Sequence, residues 1–197
     1  MEAKFEELIA GFVTGNIGIS ETFLSESLAA ALRQNLLQLD NDSRMEQAGI
    51  GNDEVKDNTQ KTRSDKTCWL DEHSTNSAEM EFMDTINQFI GHLNSTCFTG
   101  LNASEFHYAL YEQGTFYKRH KDQFKNDNGR KFSMISYLNN DWLESDGGQL
   151  IIHHGEAIQN ILPNNQKTVF FQSNILEHEV AIATRPRLSI TGWLKRV

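Results

Sequence analysis

The chain has 197 residues, of which 38% are hydrophobic and 23% charged, and its formal net charge is −9. This mixture is typical of one folded globular domain and excludes a disordered chain. The acidic balance disfavours a nucleic-acid partner, which would require a basic surface. No apolar run reaches the roughly 20 residues of a bilayer span, and Glu2 stands where a signal peptide would be basic, so we expect a cytoplasmic protein without a membrane partner.

The negative charge is concentrated in the N-terminal half. Residues 1–105 contain 7 Lys and Arg against 18 Asp and Glu, whereas residues 106–197 contain 11 against 9. The simplest interpretation is a solvated acidic surface on helices of the first half. We therefore expect the two halves to play different parts within one domain.

The N-terminal half is predicted to be mainly helical. Ser25 is a suitable N-cap for one helix, and a second helix is predicted from about Ser77. The polar stretch from Asp40 to Lys66 has little periodic apolar content and is predicted to be a long mobile loop, either a lid or a passive insertion. The apolar positions that define the two helices are Leu28, Leu32, Leu36 and Leu39 in the first, and Met83, Ile86, Ile90 and Leu93 in the second.

From Phe106 onward the sequence consists of short β-rich runs separated by turn residues. Because no helices separate these runs, the pattern favours a sandwich or barrel over βαβ units. The predicted fold class is α+β with a mainly β core, in which helices pack against a small antiparallel double sheet. Strands are predicted at 106–111, 131–138, 149–154, 167–173, 178–183 and 187–194.

A candidate metal site begins with the triplet His120-Lys121-Asp122. In an extended segment, side chains two residues apart share one face, so the imidazole and the carboxylate would point into the same space. His178 begins a separate β-run, with enough chain between to return alongside the first ligand. Two histidines and one carboxylate form the facial triad that holds non-haem Fe(II).

A rival triad of His154, Glu156 and His178 has the same spacing between its first two members. Only one strand and a turn are predicted between His154 and His178. Glu156 follows a glycine beyond the end of its strand, where the alternation of side chains no longer holds. We therefore favour His120 and Asp122 as ligands, and interpret His153 and His154 as strand-end residues.

A candidate anion site lies in the last strand, where alternation places Arg187, Ser189 and Thr191 on one face. An inward-facing arginine is costly unless an anion meets it. Its guanidinium could bind a carboxylate of metal-bound 2-oxoglutarate, with Ser189 or Thr191 adding a hydroxyl. Arg185, directly before a proline, is the competing cation and is expected at a solvent-exposed turn.

Five segments of the C-terminal half resemble, in order and spacing, the 2-oxoglutarate- and Fe(II)-dependent prolyl hydroxylases. They are YEQGTFYKRHKDQF, SYLNNDW, GGQLIIHH, FFQSNILEHEV and RPRLSITGWL. The resemblance is strongest to the branch that contains the hypoxia-inducible-factor prolyl hydroxylases and their bacterial relatives, one of which modifies elongation factor Tu. It is dense from Phe106 to Trp193 and thinner over TRSDKTCWL at 62–70, which is similar to the segment where that branch has its mobile substrate-covering loop.

The resemblance implies a double-stranded β-helix (jelly-roll) core in residues 106–197, supported by helices and a loop at about 40–70. It implies the iron ligands His120, Asp122 and His178, and Arg187 as the clamp for the C5 carboxylate of 2-oxoglutarate. Tyr137 and Tyr111 match co-substrate-pocket tyrosines, whereas Trp193 and Arg130 match residues on the substrate side. For Tyr137 and Trp193, ordinary core packing is the alternative interpretation.

The activity implied by the resemblance is hydroxylation of a prolyl C4 in a protein substrate, with succinate and CO2 as co-products. The cofactors would be Fe(II), 2-oxoglutarate and O2, with ascorbate as a candidate reductant, and the partner would present an exposed prolyl segment. Elongation factor Tu and other translation or regulatory proteins are candidate substrates. Alternatives are a same-fold oxygenase acting on a free amino acid, small metabolite or nucleobase, and a non-catalytic metal-binding jelly roll. Residues 40–66 do not match closely, so the resemblance supports the reaction better than any target.

Overall fold

The computed structural model describes residues 1–49, 62–71, 73–123 and 129–197. Three helices and eleven strands are assigned within these residues. The helices are α1 (Glu2–Gly15), α2 (Glu26–Asn41) and α3 (Ser77–Cys97). The strands are β1 (Ile17–Ser20), β2 (Glu46–Gln47), β3 (Lys66–Trp69), β4 (Ala103–Tyr111), β5 (Tyr117–His120), β6 (Arg130–Tyr137), β7 (Leu150–His154), β8 (Ala157–Ile161), β9 (Thr168–Gln172), β10 (Glu177–Val180) and β11 (Arg187–Lys195).

Both predicted helices are confirmed, and side-chain caps fix their starts. The Ser25 hydroxyl accepts a hydrogen bond from the Leu28 amide at 3.1 Å, and the Asn76 side chain accepts from two amides of the first turn of α3. These caps satisfy amides that have no partner inside the helix. The leucines predicted to face the core of α2 are all buried.

Helix α1 was not predicted as an element, although the sequence carries a signal for it. Phe5, Leu8 and Phe12 are spaced three and four apart, which is a helical period. Phe5 and Leu8 are buried, and Phe12 packs partly buried against the same core.

The strands form two antiparallel sheets, as the double-sheet prediction required. The larger sheet has the order β1-β9-β6-β11-β4-β3-β2, and the smaller sheet has the order β5-β10-β7-β8. All six predicted strands are present with shifts of a few residues, whereas the short strands β1, β2, β3, β5 and β8 were not predicted. The jelly-roll expectation with supporting helices is confirmed.

The core has two main parts, one on each side of the larger sheet. The outer part packs the helices against strand residues such as Tyr108 and Ile190. The inner part lies between the two sheets and includes Ile135, Tyr137 and Phe171. Near Tyr111 this inner apolar filling is reduced to a small cluster with Ala109 and Val180, and polar side chains occupy the adjoining space.

The predicted long loop from Asp40 to Lys66 is wrong at both ends. Asp40 lies in the last turn of α2, Glu46–Gln47 forms β2, and Lys66 begins β3, which pairs with β4 through Thr67 opposite Ala109. These short strands are stabilised by pairing with distant residues, so local composition does not reveal them. Residues 50–61 lie outside the described residues, and the expectation of a lid there stays a prediction.

None of the helices in the described ranges combines the length and the apolar character that crossing a bilayer demands.

Candidate active site

Two strands of the smaller sheet bring the predicted metal ligands together. Strands β5 and β10 pair antiparallel, with His178 directly opposite His120. The Nε2 atoms of His120 and His178 lie 3.3 and 3.6 Å from Oδ1 of Asp122. Among the described residues, this is the one group of three or more His, Cys, Asp or Glu whose ligand atoms converge, all within 4.8 Å of one another.

Contrary to the prediction from strand alternation, His120 and Asp122 do not share one extended strand. Strand β5 ends at His120, and Asp122 lies beyond it in a bend. Asp122 therefore does not owe its direction to strand periodicity. Contacts from the larger sheet place it instead: the Ser133 hydroxyl donates to Oδ2 at 2.6 Å, and Arg130 Nη1 donates to the Asp122 carbonyl at 3.4 Å.

Backbone carbonyls orient both imidazoles. His120 Nδ1 lies 2.7 Å from the Lys118 carbonyl, and His178 Nδ1 lies 3.3 Å from the Leu176 carbonyl. Because a carbonyl only accepts, each Nδ1 carries the proton and each Nε2 keeps its lone pair for a metal. The Tyr117 ring stacks on His120 with centroids 3.5 Å apart and restricts its rotation further.

Electrostatics keep the acidic ligand ionised. Burial of Asp122 opposes ionisation, but the two histidines outweigh it and hold the pKa of that carboxyl well below its usual range. Burial lowers the pKa of His120, whereas for His178 the Asp122 carboxylate outweighs burial and raises the pKa. An anionic carboxylate between two imidazoles is the ligand set that non-haem Fe(II) prefers, so these residues fit that metal.

The rival triad does not assemble. Gly155 and Glu156 form the turn between β7 and β8, where Glu156 is exposed. His154 contacts Gln159 Oε1 at 3.3 Å, and His153 contacts Glu179 Oε1 at 3.0 Å. His153 and His154 are therefore strand-end residues with partners of their own, as predicted.

Arg187 lies in the interior of the sandwich with an unsatisfied donor. Its side chain is 1% exposed, and its Nε donates to the Gly148 carbonyl at 2.8 Å, while Nη2 has no hydrogen-bond partner. Within the described part of the chain, no carboxylate pairs with it. A Cβ on Gly148 would lie 3.1 Å from Arg187 Cδ, and the φ of Gly148 is +65°, so both the close approach and the backbone conformation favour glycine.

Two tyrosines complete the surroundings of the Arg187 guanidinium. Its Cζ lies 4.9 Å from the ring centre of Tyr111 and 5.0 Å from that of Tyr137. Burial raises the pKa of Tyr137 to about 12 against the opposing effect of Arg187, so the hydroxyl keeps its proton. That hydroxyl is also buried without a partner. Two orphaned donors at one place fit a carboxylate of 2-oxoglutarate.

Ser189, Thr191 and the competing Arg185 lie where the sequence predicted them. Ser189 is fully buried, and its hydroxyl lies 3.5 Å from that of Thr191. Arg185 is not a free turn residue: Nη2 donates to the carbonyls of Asn140 and Asp141, and Nε pairs with Asp146 at 2.9 Å. It nevertheless lies in a bend directly before Pro186 with its side chain 39% exposed, as predicted for a solvent-exposed turn residue, and these partners hold it against the 140–146 segment.

On the substrate side, Arg130 and Trp193 are in direct contact. The Arg130 Cζ lies 3.5 Å from the Trp193 ring centre, and Arg130 Nε donates to Glu105 at 2.8 Å. Lys195 also pairs with Glu105, at 2.9 Å. Arg130 is thus held in an ion network while it covers the tryptophan.

Two further aromatic residues of this surface were missed in the sequence. Trp69 and His107 face each other across β3 and β4, with ring centres 4.9 Å apart, and His107 lies 5.5 Å from Trp193. Burial, with Arg63 and Arg130 nearby, lowers the pKa of His107 to about 3, so its imidazole is neutral. His107 shares the face of Tyr111 by alternation along β4 and could have been found, whereas Trp69 depends on an unpredicted strand pairing. We call Trp69, His107 and Trp193 the aromatic surface.

Known proteins are similar to this chain in sequence or in fold. The model of the 2OG-Fe(II) oxygenase superfamily matches residues 106–195. The crystal structure of a Pseudomonas putida prolyl-4-hydroxylase is similar with a TM-score of 0.88 and 30% identity, covering 98% of this chain and 99% of that one. A prolyl hydroxylase in complex with a hypoxia-inducible-factor oxygen-degradation-domain peptide, from Trichoplax adhaerens, shares the fold with a TM-score of 0.88 at 23% identity, covering 98% and 90%. Prolyl 3-hydroxylase OGFOD1 of Xenopus laevis is 32% identical over 85 residues, which are 38% of this chain but only 16% of that protein.

The fold and the His–Asp–His site define an oxygenase that uses Fe(II) and 2-oxoglutarate. Within that class, the chain belongs to the prolyl hydroxylase family, since 30% identity to the Pseudomonas enzyme extends over nearly the whole of both chains.

Proposed function

We propose that this protein hydroxylates a prolyl residue of a protein substrate at C4 and releases succinate and CO2. The observation that carries the proposal is the pair of orphaned donors on Arg187 and Tyr137, buried in the same sandwich interior as the converging ligand atoms. A metal site alone is compatible with many chemistries. A metal site together with an unsatisfied buried guanidinium requires an anionic co-substrate.

The residues have separate tasks in this proposal. Nε2 of His120, Oδ1 of Asp122 and Nε2 of His178 hold the metal, and Arg187 with Tyr137 binds the distal carboxylate of 2-oxoglutarate. Once bound, the metal and co-substrate supply the oxidising chemistry that inserts oxygen into a C–H bond. The chain itself orients the two groups and excludes water from the space between the sheets. Ascorbate is the candidate reductant.

The aromatic surface supports a peptide substrate rather than a free amino acid. Trp69 is 56% exposed and packs against the buried His107 and Trp193. Arg130, which covers Trp193, also donates to the Asp122 carbonyl, so this exposed aromatic side chain is connected to the candidate metal ligands. Prolyl segments present a preformed extended backbone that binds to aromatic-lined surfaces. An exposed prolyl segment of elongation factor Tu, or of another translation or regulatory protein, is the proposed partner, met in the cytoplasm.

C4 is favoured over C3 as the position of hydroxylation. The Pseudomonas relative is named a prolyl-4-hydroxylase and matches almost the whole chain, whereas the Xenopus relative, named a prolyl 3-hydroxylase, matches 38% of it.

The test is product analysis on a defined substrate. Purified protein is incubated with Fe(II), 2-oxoglutarate, ascorbate and elongation factor Tu or proline-containing peptides, and the products are examined by mass spectrometry for the mass of one added oxygen. Chromatography of the hydrolysate separates 4-hydroxyproline from 3-hydroxyproline. We expect 4-hydroxyproline and stoichiometric succinate from the wild type and from Lys121→Ala, but neither product from Asp122→Ala. 2-Oxoglutarate turnover with free amino acids and no modified proline in any protein or peptide would contradict the proposal.

A further inference from the structure

The two oxygens of the Asp122 carboxylate have different surroundings. Oδ1 faces the Nε2 atoms of both histidines. Oδ2 points the other way and accepts a hydrogen bond from the Ser133 hydroxyl at 2.6 Å. Ser133 lies in β6 of the larger sheet and is completely buried, so water cannot take over its part in this contact.

A second buried serine fixes the direction of the Ser133 hydroxyl. The hydroxyl oxygens of Ser133 and Ser173 lie 2.9 Å apart, and Ser173 is also fully buried. A hydroxyl has one proton, and Ser133 donates its proton to Asp122. Ser173 must therefore be the donor to Ser133, which gives a one-way chain of hydrogen bonds that ends on Oδ2.

The same serine holds the backbone next to the ligand. The amide of Gln123 donates to the Ser173 carbonyl at 3.2 Å, and the Gln123 side chain donates to the Arg130 carbonyl at 2.9 Å. Strand β5 ends before Asp122 and cannot hold it. These contacts with the larger sheet therefore hold the bend that carries Asp122. Rigid attachment of a ligand to a neighbouring sheet keeps its orientation before any metal arrives.

We propose that Ser133, with Ser173 behind it, is a positioning residue that keeps Asp122 a one-oxygen metal ligand. The inference rests on the metal ligands of the proposed function. With Oδ2 held by Ser133, the protein would offer a metal three ligand atoms, which is the set that leaves positions free for other ligands on Fe(II). A carboxylate that bound through both oxygens would fill one of the positions that co-substrate and dioxygen share.

The chain contains a matched control for this pair of hydroxyls. Ser136 and Thr168 lie in the neighbouring strands β6 and β9, with their hydroxyls 2.7 Å apart and both side chains buried, whereas Ser173 directly follows β9. Among the contacts of the described residues, the hydroxyls of this pair bond to each other and to no metal ligand. Replacing Ser133 or Ser136 by alanine therefore removes one buried hydroxyl from a buried pair in each case. Of these two pairs, the one that contains Ser133 bonds to Asp122.

The experiment measures Mn²⁺ binding to the purified chain without co-substrate, from the loss of the electron paramagnetic resonance signal of free Mn²⁺. Outer-shell partners of metal ligands typically contribute about 10- to 100-fold in affinity, so we expect a loss of this order for Ser133→Ala. Ser173→Ala should cause a smaller loss in the same direction. Ser136→Ala should bind Mn²⁺ like the wild type, and circular dichroism shows whether each variant is folded.

Asp122→Ala separates failure of this inference from failure of the proposed function. If Asp122→Ala binds Mn²⁺ like the wild type, the ligand assignment itself is wrong. If Asp122→Ala loses binding while Ser133→Ala and Ser173→Ala keep it, the inference about the serines is overturned and the ligands stand. An equal loss in Ser136→Ala would also overturn it, because general damage to the sheet would then explain the effect. Should Ser133→Ala fail to fold, Ser173→Ala alone decides.

Discussion

At the scale of single residues, the site contains both polar atoms that have hydrogen-bond partners and buried polar atoms that have none. Both oxygens of Asp122 have neighbours, and both imidazoles are held by carbonyls. In contrast, Nη2 of Arg187 and the hydroxyl of Tyr137 are buried and unpaired. Buried polar groups are seldom left unpaired in a folded chain, so this contrast marks where the ligand belongs.

Replacement of Arg187 tests that assignment. In Arg187→Gln, the apparent KM for 2-oxoglutarate should rise about 10-fold or more, because a hydrogen bond to a charged group contributes about 1.5–3 kcal/mol. Initial rates of succinate formation over a range of 2-oxoglutarate concentrations provide the measurement. Arg185→Gln is the matched control, since Arg185 bonds only to the 140–146 segment among the contacts described. An unchanged KM in Arg187→Gln would show that the distal carboxylate binds elsewhere.

At the scale of elements, the register between β5 and β10 builds the metal site. His178 opposite His120 places two ligands on one face of a short strand pair. A shift of one residue in either strand would turn one imidazole to the other face. Pairing of β10 with β7 on its other side, through His178 opposite Ile152, fixes that register further.

The elements also show what a sequence reveals and what it does not. The leucine spacing of α2 and the alternation of Arg187, Ser189 and Thr191 are local patterns, and both predictions hold in the structure. Strand β3 is half-buried and four residues long, and it exists because β4 is available to pair with it. The contact of Ser133 with Asp122 likewise joins residues that only the folded sheet brings together. Local patterns therefore predict the helices and the ligand types, whereas short edge strands and outer-shell contacts need tertiary structure.

Strand β3 gives a prediction of its own, because it carries Trp69 to the aromatic surface. Trp69→Ala should raise the KM for a prolyl peptide about 3- to 10-fold, as aromatic contacts contribute about 0.5–1.5 kcal/mol. Succinate formed without peptide should not change, since Trp69 lies opposite His107, four residues along β4 from Tyr111, and its described ring contacts are with His107 and Trp193. Phe98→Ala removes another exposed aromatic side chain, at the end of α3, and serves as the control. Equal effects of both variants on the peptide KM would contradict a specific role for Trp69.

At the scale of the whole molecule, helices and sheets share one core. Leu32 of α2, Phe89 of α3 and Ile190 of β11 belong to the same buried cluster. Separating residues 1–105 from 106–197 would expose the outer face of the larger sheet. We therefore propose that the chain is one cooperative domain, in spite of the contrast in charge between its halves.

The unfolding of the helices and that of the surroundings of the tryptophans can be followed separately, which tests whether the domain unfolds cooperatively. All three helices precede residue 98, whereas the three tryptophans, Trp69, Trp142 and Trp193, lie outside them. Urea unfolding followed by circular dichroism at helix wavelengths and by tryptophan fluorescence should give coincident transitions, which is the behaviour of a two-state domain. Two separate midpoints would instead indicate that the helical half and the sheets unfold independently.

The unpaired donors on Arg187 and Tyr137 also make the stability of the folded chain depend on the concentration of 2-oxoglutarate. Each unsatisfied buried group costs about 1–3 kcal/mol in the ligand-free fold. A dicarboxylate that meets both donors binds the folded chain and not the unfolded chain, so its concentration adds to the free energy of unfolding by mass action. Where 2-oxoglutarate is scarce, more of the chain is open to proteases at any moment. We therefore expect the abundance of the protein, as well as its turnover, to follow the supply of 2-oxoglutarate.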